Sequence, residues 1–378
     1  MDPSVKLLRD LVAVDSTNPS LAPAGAGEAA IAAVLAGELR TAGLDVAITE
    51  AAPGRPNVVG ILEGHGPGRS LMLCGHMDTV GITGMNAPFD PVIRGGRLYG
   101  RGSQDMKGGL AAMLDAARSV AAGGGIKAGK LIIAAVADEE YASLGAEALV
   151  RGWHADAAVV PEPTDLVVAT GHRGFTWIEI VTEGIAAHGS RPNEGRDAIM
   201  RMGRVLARLE NLNRSLLSGP LHPVQGTASL HASLIAGGQE LSIYPDRCVL
   251  QMERRSTTGE DVNVALAEVE TILEALRRED PEFRSSARVF FNRRPYETPA
   301  GHFLLRDLPA ALGRIGREAV FGGVSFWTDA SVLGHAGIPS VVFGPGGAGL
   351  HSAEEYVKLD EVVACRDALA ELIRAVCV

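Results

Sequence analysis

Two short, uninterrupted apolar runs, Leu71–Gly75 and Leu131–Ala137, constrain the fold of this chain more than any other feature. Strands that are apolar on both sides belong at the centre of a sheet whose two faces are both covered. The segments around them alternate in type. Residues 26–43 carry apolar positions at helical spacing and stop near Gly43. Val46–Ile48 and Val58–Leu62 read as strands. A helix is expected from about Lys107 to Ala121, a strand at Lys130–Ala137 after the Gly123-Gly124-Gly125 break, a helix over 144–152 and a strand near Ala157–Val160. This strand–helix–strand rhythm is that of a mostly parallel sheet with helices on both faces.

The rhythm changes near residue 173. Thr176–Thr182 alternates like a half-exposed strand and Ala198–Leu212 is amphipathic. Strands follow at about 227–235 and 246–254, then a helix at 260–278 and a strand at 286–292. The order β-α-β-β-α-β is that of the ferredoxin-like split βαβ sandwich. After Pro299 the α/β pattern resumes, with a helix, a strand near Ser340–Gly344 and a closing helix from Asp360 to about Val376. The expected fold class is therefore α/β with an inserted α+β domain, the segments being 1–172, 173–292 and 293–378.

Composition narrows the function classes. Acidic side chains number 45 against 35 basic ones, a net charge of −10, which argues against a nucleic-acid partner. No apolar run approaches the length of a membrane helix. Met1-Asp2-Pro3-Ser4-Val5-Lys6 lacks the basic and apolar regions of a secretory signal, so a cytoplasmic location is expected. Cys74, Cys248, Cys365 and Cys377 are too few and too scattered for a disulfide framework or a cysteine zinc knot.

Five segments carry metal-competent side chains at the ends of expected strands or in the loops after them, where open α/β sheets place their sites. They are Gly75-His76-Met77-Asp78-Thr79, Gly100-Arg101-Gly102 through Asp105-Met106-Lys107, Asp138-Glu139-Glu140, Glu162-Pro163 and His351 through Glu355-Tyr356. In an extended chain Asp78 points the same way as His76, a spacing suited to a zinc-bound imidazole oriented by a carboxylate. Taken singly, each has a plainer explanation. Asp105 reads as a helix N-cap, His76 as a hydrogen-bonded structural histidine, and Glu139-Glu140 as a solvated turn. The glycines at 100–102 and 344–349 belong to no phosphate-binding pattern. Taken together, two histidines and three carboxylates at strand ends form a nitrogen and oxygen set suited to zinc or a similar divalent ion.

In this order, and with Ala187-His188-Gly189-Ser190 between the fourth and fifth, these motifs resemble the zinc-dependent amidohydrolase and peptidase family. That family includes acetylornithine deacetylase, succinyl-diaminopimelate desuccinylase, aminoacylase and glutamate carboxypeptidase. The resemblance spans nearly the whole chain. It implies a catalytic domain in two parts and a lid or dimerisation domain in the insertion. It also implies two Zn2+ ions per chain, with Co2+ or Mn2+ as substitutes, and a homodimer formed through the lid. His76 and Glu162 would hold one ion, Glu140 and His351 the other, and Asp105 would bridge them. Asp78 would orient His76, and Glu139 would act as general base on the bridging water. The family's counterpart of His188 steadies the oxyanion across the dimer interface. Arg255 matches its substrate-carboxylate arginine, with the neighbouring Arg254 as the competing choice.

One departure is visible: Ser242 stands where the family's lid often has Asn. The Trp327-Thr328-Asp329-Ala330 segment receives no role from its spacing. The resemblance implies cleavage of the amide of an N-acyl amino acid or short peptide, with acetylornithine deacetylase-like deacylation first. A carboxypeptidase or dipeptidase is the alternative within the class, and a non-catalytic metal-binding regulator the alternative outside it.

Overall fold

A computed structural model describes residues 1–378. The chain divides into two compact units. One comprises Met1–Gly171, Glu297–Gly323 and Thr328–Val378, and the other His172–Tyr296 with Val324–Trp327.

The sheet of the first unit sets side by side the strands Asp45–Ala52, Arg55–Glu63, Lys130–Val136, Ser70–His76, Ala157–Val160, Ser340–Val342 and Val168–His172. The four from Lys130–Val136 to Ser340–Val342 are parallel to one another, and the outer ones join antiparallel. As the apolar runs require, both faces are covered. Leu71 and Leu73 pack into a core with Leu110 and Leu114 of the helix Gly108–Ala122 and with Leu369 and Ile373 of the helix Leu359–Val376. The alternate residues Met72 and Cys74 are also fully buried, on the opposite face. Each such side chain stabilises the fold by about 1.5–3 kcal/mol relative to exposure. A Cβ at Gly109 or at Gly344 would run into the Pro161 carbonyl oxygen. Glycine at both places lets two neighbouring segments close on the end of the Ala157–Val160 strand.

The second unit is an antiparallel sheet in the order Ser229–Gly237, Arg247–Ser256, Gly174–Glu183, Arg284–Arg293. Helices Ala198–Leu217 and Val264–Glu279 cover one face, where Ile178, Ile180, Leu250 and Met252 meet Met202, Val205, Val269 and Leu273. This is the expected split βαβ arrangement.

The differences from the sequence reading are local. The first long helix is Ala29–Thr41 rather than 26–43, because Gly27 takes a left-handed φ of 69°. The helix read at 260–278 starts at Val264. The strands Val92–Arg94 and Arg97–Tyr99 form a hairpin that the sequence pattern does not predict. It turns through Gly95 and Gly96, both at positive φ as a two-residue turn demands. No helix is long and apolar enough to cross a membrane.

Candidate metal centre

Three adjacent parallel strands deliver the first ligand candidates. Ser70–His76 ends on His76, Lys130–Val136 leads into Asp138-Glu139-Glu140, and Ala157–Val160 leads into Glu162. Asp105 is not a helix N-cap. It sits in the kinked turn Ser103–Lys107, with non-helical φ −117° and ψ 96°, ahead of the helix that begins at Gly108. His351 lies in the loop before the strand Tyr356–Lys358 and holds a left-handed φ of 59°.

The side chains converge. His76 Nε2 is 3.0 Å from Asp105 Oδ1 and 3.5 Å from Glu162 Oε1. His351 Nε2 is 3.3 Å from Asp105 Oδ2 and 3.1 Å from Glu140 Oε2. Ligand atoms of His76, Glu139 and Glu162 lie within 4.8 Å of one another, as do those of His76, Asp105 and Glu140. The two oxygens of Asp105 thus face two different histidine–glutamate pairs.

The electrostatics are those of acids packed without enough cations. Burial pushes Glu139, Glu140 and Glu162 above the usual carboxylate range, Glu140 to about 7, and repulsion among the neighbouring acids adds to this. Burial alone would lower His76, but Glu162, Asp105 and Asp78 lift it well above an ordinary histidine. Hydrogen bonds to Asp105 and Glu140 raise His351 to about 10. Glu140 Oε1 is buried and has no hydrogen-bond partner. An orphaned carboxylate oxygen among imidazoles and acids, all nitrogen and oxygen donors, fits divalent metal ions.

The surrounding shell was only partly legible. His76 Nδ1 hydrogen-bonds the backbone carbonyl of Asp78 at 2.9 Å, while the Asp78 carboxylate stands 3.6 Å away. That carboxylate accepts the backbone N–H groups of Glu139 and Glu140 and the Asn18 amide, so it fixes the diglutamate turn as well. Asn18 also reaches Asp138, which Arg55 engages at 2.9 Å while forking onto Glu28. Nothing in the spacing marked Asn18, Arg55 or Glu28. Glu355, whose place in the last motif carries no signal of its role, takes four donors. They are Arg101 Nη1 and the backbone N–H groups of Gly102, Gln104 and Asp105. Asp329, whose spacing predicts no role, is buried and repels the charges of Glu139 and Glu162.

In the second unit, His188 is exposed. Its Nδ1 lies 2.8 Å from Ser190 Oγ and accepts the Ser190 N–H at 3.2 Å. Ser242 donates no side chain here; its carbonyl accepts the Gly189 N–H. Arg254 and Arg255 differ sharply. Arg254 is 1% exposed and spent on Glu260 and Glu268. Arg255 is 27% exposed, and its side chain makes a single hydrogen bond, from Nε to Glu253.

A doubly covered α/β sheet with histidines and carboxylates gathered at the ends of its central parallel strands, beside an inserted split βαβ unit, defines the class of metal-dependent hydrolases. The chain belongs to peptidase family M20/M25/M40, whose profile matches residues 72–375, and it is a hydrolytic enzyme acting on amide bonds. It is 32% identical to the acetylornithine deacetylase of Myxococcus xanthus, over 98% of this chain and 96% of that one. It is 30% identical to the N-formyl-4-amino-5-aminomethyl-2-methylpyrimidine deformylase of Bacillus subtilis, over 94% and 91%. Its fold matches that of the Bacillus subtilis YXEP protein, a dinuclear metal binding peptidase, with a TM-score of 0.77 at 15% identity, covering 99% of this chain and 97% of that one.

Proposed function

We propose that this protein is a di-zinc deacylase that hydrolyses the amide of an N-acyl amino acid, in the manner of acetylornithine deacetylase. The observation that carries the reading is the division of Asp105 between the pair His76–Glu162 and the pair His351–Glu140. These five side chains would hold the two ions, which when bound acidify water and polarise an amide carbonyl. Glu139, half-buried beside them, takes the proton from the attacking water and returns it to the departing amine. Asp78 positions the Glu139-Glu140 turn and His76. Arg255 receives the substrate carboxylate on its open guanidinium edge, and His188 steadies the developing oxyanion from the partner copy of a homodimer joined through the inserted domain. A cytoplasmic location goes with this reading. Two relatives near 30% identity are named for removing acetyl and formyl groups from nitrogen, which favours deacylation over peptide cleavage.

The test is elemental analysis paired with hydrolysis of N-acyl amino acids and dipeptides before and after chelation. About two zinc ions per chain and chelator-sensitive release of the acyl group support the reading. Preferential dipeptide cleavage would replace it with a peptidase, and a metal-free, inactive protein would sink it.

A further inference from the structure

The chain is poor in aromatic residues, 4% in all, yet the second unit concentrates them. Phe175 and Trp177 stand on the face of the strand Gly174–Glu183 opposite the helix-packed Ile178 and Ile180. Trp177 pairs across the sheet with Phe291, their ring centroids 5.0 Å apart. Phe175 lies 5.3 Å from Trp177, 5.8 Å from Phe291 and edge-on to Trp327 at 6.4 Å. Phe290, 40% exposed, extends the group at 5.9 Å from Trp177. Trp327 is buried, but Phe175, Trp177, Phe290 and Phe291 lie outside the unit's helix-packed core and remain partly open to solvent. A contiguous aromatic patch of this kind marks a binding surface.

Arg255 borders the patch. Its guanidinium rests 5.1 Å from the centre of the Phe175 ring, and Glu253 anchors its Nε at 2.6 Å. The other oxygen of Glu253 accepts Trp177 Nε1–H at 2.8 Å, so one carboxylate fastens both the arginine and the largest ring. Nη1 and Nη2 of Arg255 make no hydrogen bond, leaving a two-pronged donor edge suited to a carboxylate. Arg293 lies 4.9 Å over Phe291 and 5.3 Å over Trp327.

We infer that Phe175, Trp177 and Phe291 form the side-chain subsite for the amino acid half of the substrate, and that they select an aromatic or large apolar side chain over a cationic one. The inference rests on the proposed deacylation and on the role of Arg255 within it. In an N-acyl amino acid the carboxylate and the side chain leave the same carbon. Whatever flanks the carboxylate's arginine therefore meets that side chain. Offset and edge-on ring contacts favour an aromatic group there. A cationic side chain such as that of ornithine would meet the positive charges of Arg255 and Arg293, which already sit over Phe175 and Phe291, with Glu253 already committed to Arg255 and Trp177.

The experiment compares kcat/KM of the metal-loaded protein for N-acetylphenylalanine, N-acetylornithine and N-acetylalanine. It is repeated on Trp177→Ala, Phe291→Ala and the milder Phe291→Leu. L-phenylalanine and L-ornithine are also titrated into the full-length chain while tryptophan fluorescence is followed. A preference of about tenfold or more for phenylalanine over ornithine is expected, and the ring substitutions should collapse that ratio. Phenylalanine should perturb the fluorescence and ornithine should not, and Phe291→Ala should weaken that response. Equal or better turnover of N-acetylornithine, or a ratio unmoved by all three variants, overturns the inference. If no N-acyl amino acid is hydrolysed but phenylalanine still binds in a Phe291-dependent way, deacylation falls and the aromatic subsite stands. If there is neither turnover nor binding, both fall.

Discussion

Glu355 accepts the backbone N–H of Asp105 at 3.1 Å, across 250 residues of sequence. The same carboxylate takes the N–H groups of Gly102 and Gln104 and the Arg101 guanidinium, so the loop carrying His351 also braces the turn carrying Asp105. If Asp105 is shared by two ions, slackening this brace should weaken both sites together. Glu355→Ala should lower metal retention by about 10- to 100-fold, and Glu355→Gln, which keeps one acceptor, by less. Metal content after dialysis against graded chelator would show this. Full retention in the alanine variant would reduce Glu355 to a fold-stabilising role.

Glu139→Gln should keep the metal stoichiometry of the parent while turnover falls by about 100- to 10,000-fold. The amide preserves the shape of the side chain and cannot accept the proton. Elemental analysis beside steady-state rates decides it: an active variant would mean that the proton goes elsewhere.

Arg254 and Arg255 are adjacent and should behave as opposites. Arg254→Ala leaves Glu260 and Glu268 without the guanidinium they share, and should cost about 3–5 kcal/mol of stability. Arg255→Ala should leave the thermal midpoint close to that of the parent and raise KM for carboxylate-bearing substrates. Melting curves and Michaelis constants on the two variants separate the roles.

A pH-dependent tie holds the helix Pro3–Val12 to the helices Gly108–Ala122 and Leu359–Val376. Burial would raise the Asp115 carboxyl, but hydrogen bonds from Ser4, Arg366 and Arg118 outweigh it and hold the group below the ordinary range. A carboxyl depressed in the folded state contributes stability above its unfolded pKa, and that stability is lost as pH falls through the folded value. Asp115→Asn should therefore destabilise the protein by about 1–3 kcal/mol at pH 7. The gap from the parent should close progressively as the medium is acidified into and below the carboxylate range. Urea unfolding of both proteins along a pH series measures it, and a gap independent of pH would remove the charge from the account.

The ligand candidates were legible because chemistry that needs histidines and acids at strand ends leaves them at fixed places in the sequence, as at His76, Asp105, Glu140 and Glu162. The apolar runs around Leu73 and Ile133 likewise dictated a doubly covered sheet. Less legible were contacts made by backbone atoms. The orientation of His76 by the Asp78 carbonyl and the bracing of Asp105 by Glu355 depend on where the chain turns, not on residue type. Arg55 carries no spacing signal at the start of the strand Arg55–Glu63, and only tertiary packing buries it against Glu28 and Asp138. Which of Arg254 and Arg255 is left partly exposed depends on which face of the strand the two helices cover, and that is not written in the residue types. The Gly95-Gly96 hairpin, by contrast, carries a turn signal, but its three-residue flanking strands are too short to show an alternating pattern.

The strand ends near residues 76, 140 and 162 and the loop near 351 are separated by the whole inserted unit. During synthesis the ribosome therefore releases His76, Asp105, Glu140 and Glu162 well before His351 and Glu355. A chain interrupted before that loop would carry the buried acids without their second histidine and without the carboxylate that braces Asp105. Its final helix, Leu359–Val376, would also be missing from the core. Fragments that stop short should neither load metal fully nor fold stably, which couples assembly of the centre to translation of the loop and helix that finish it.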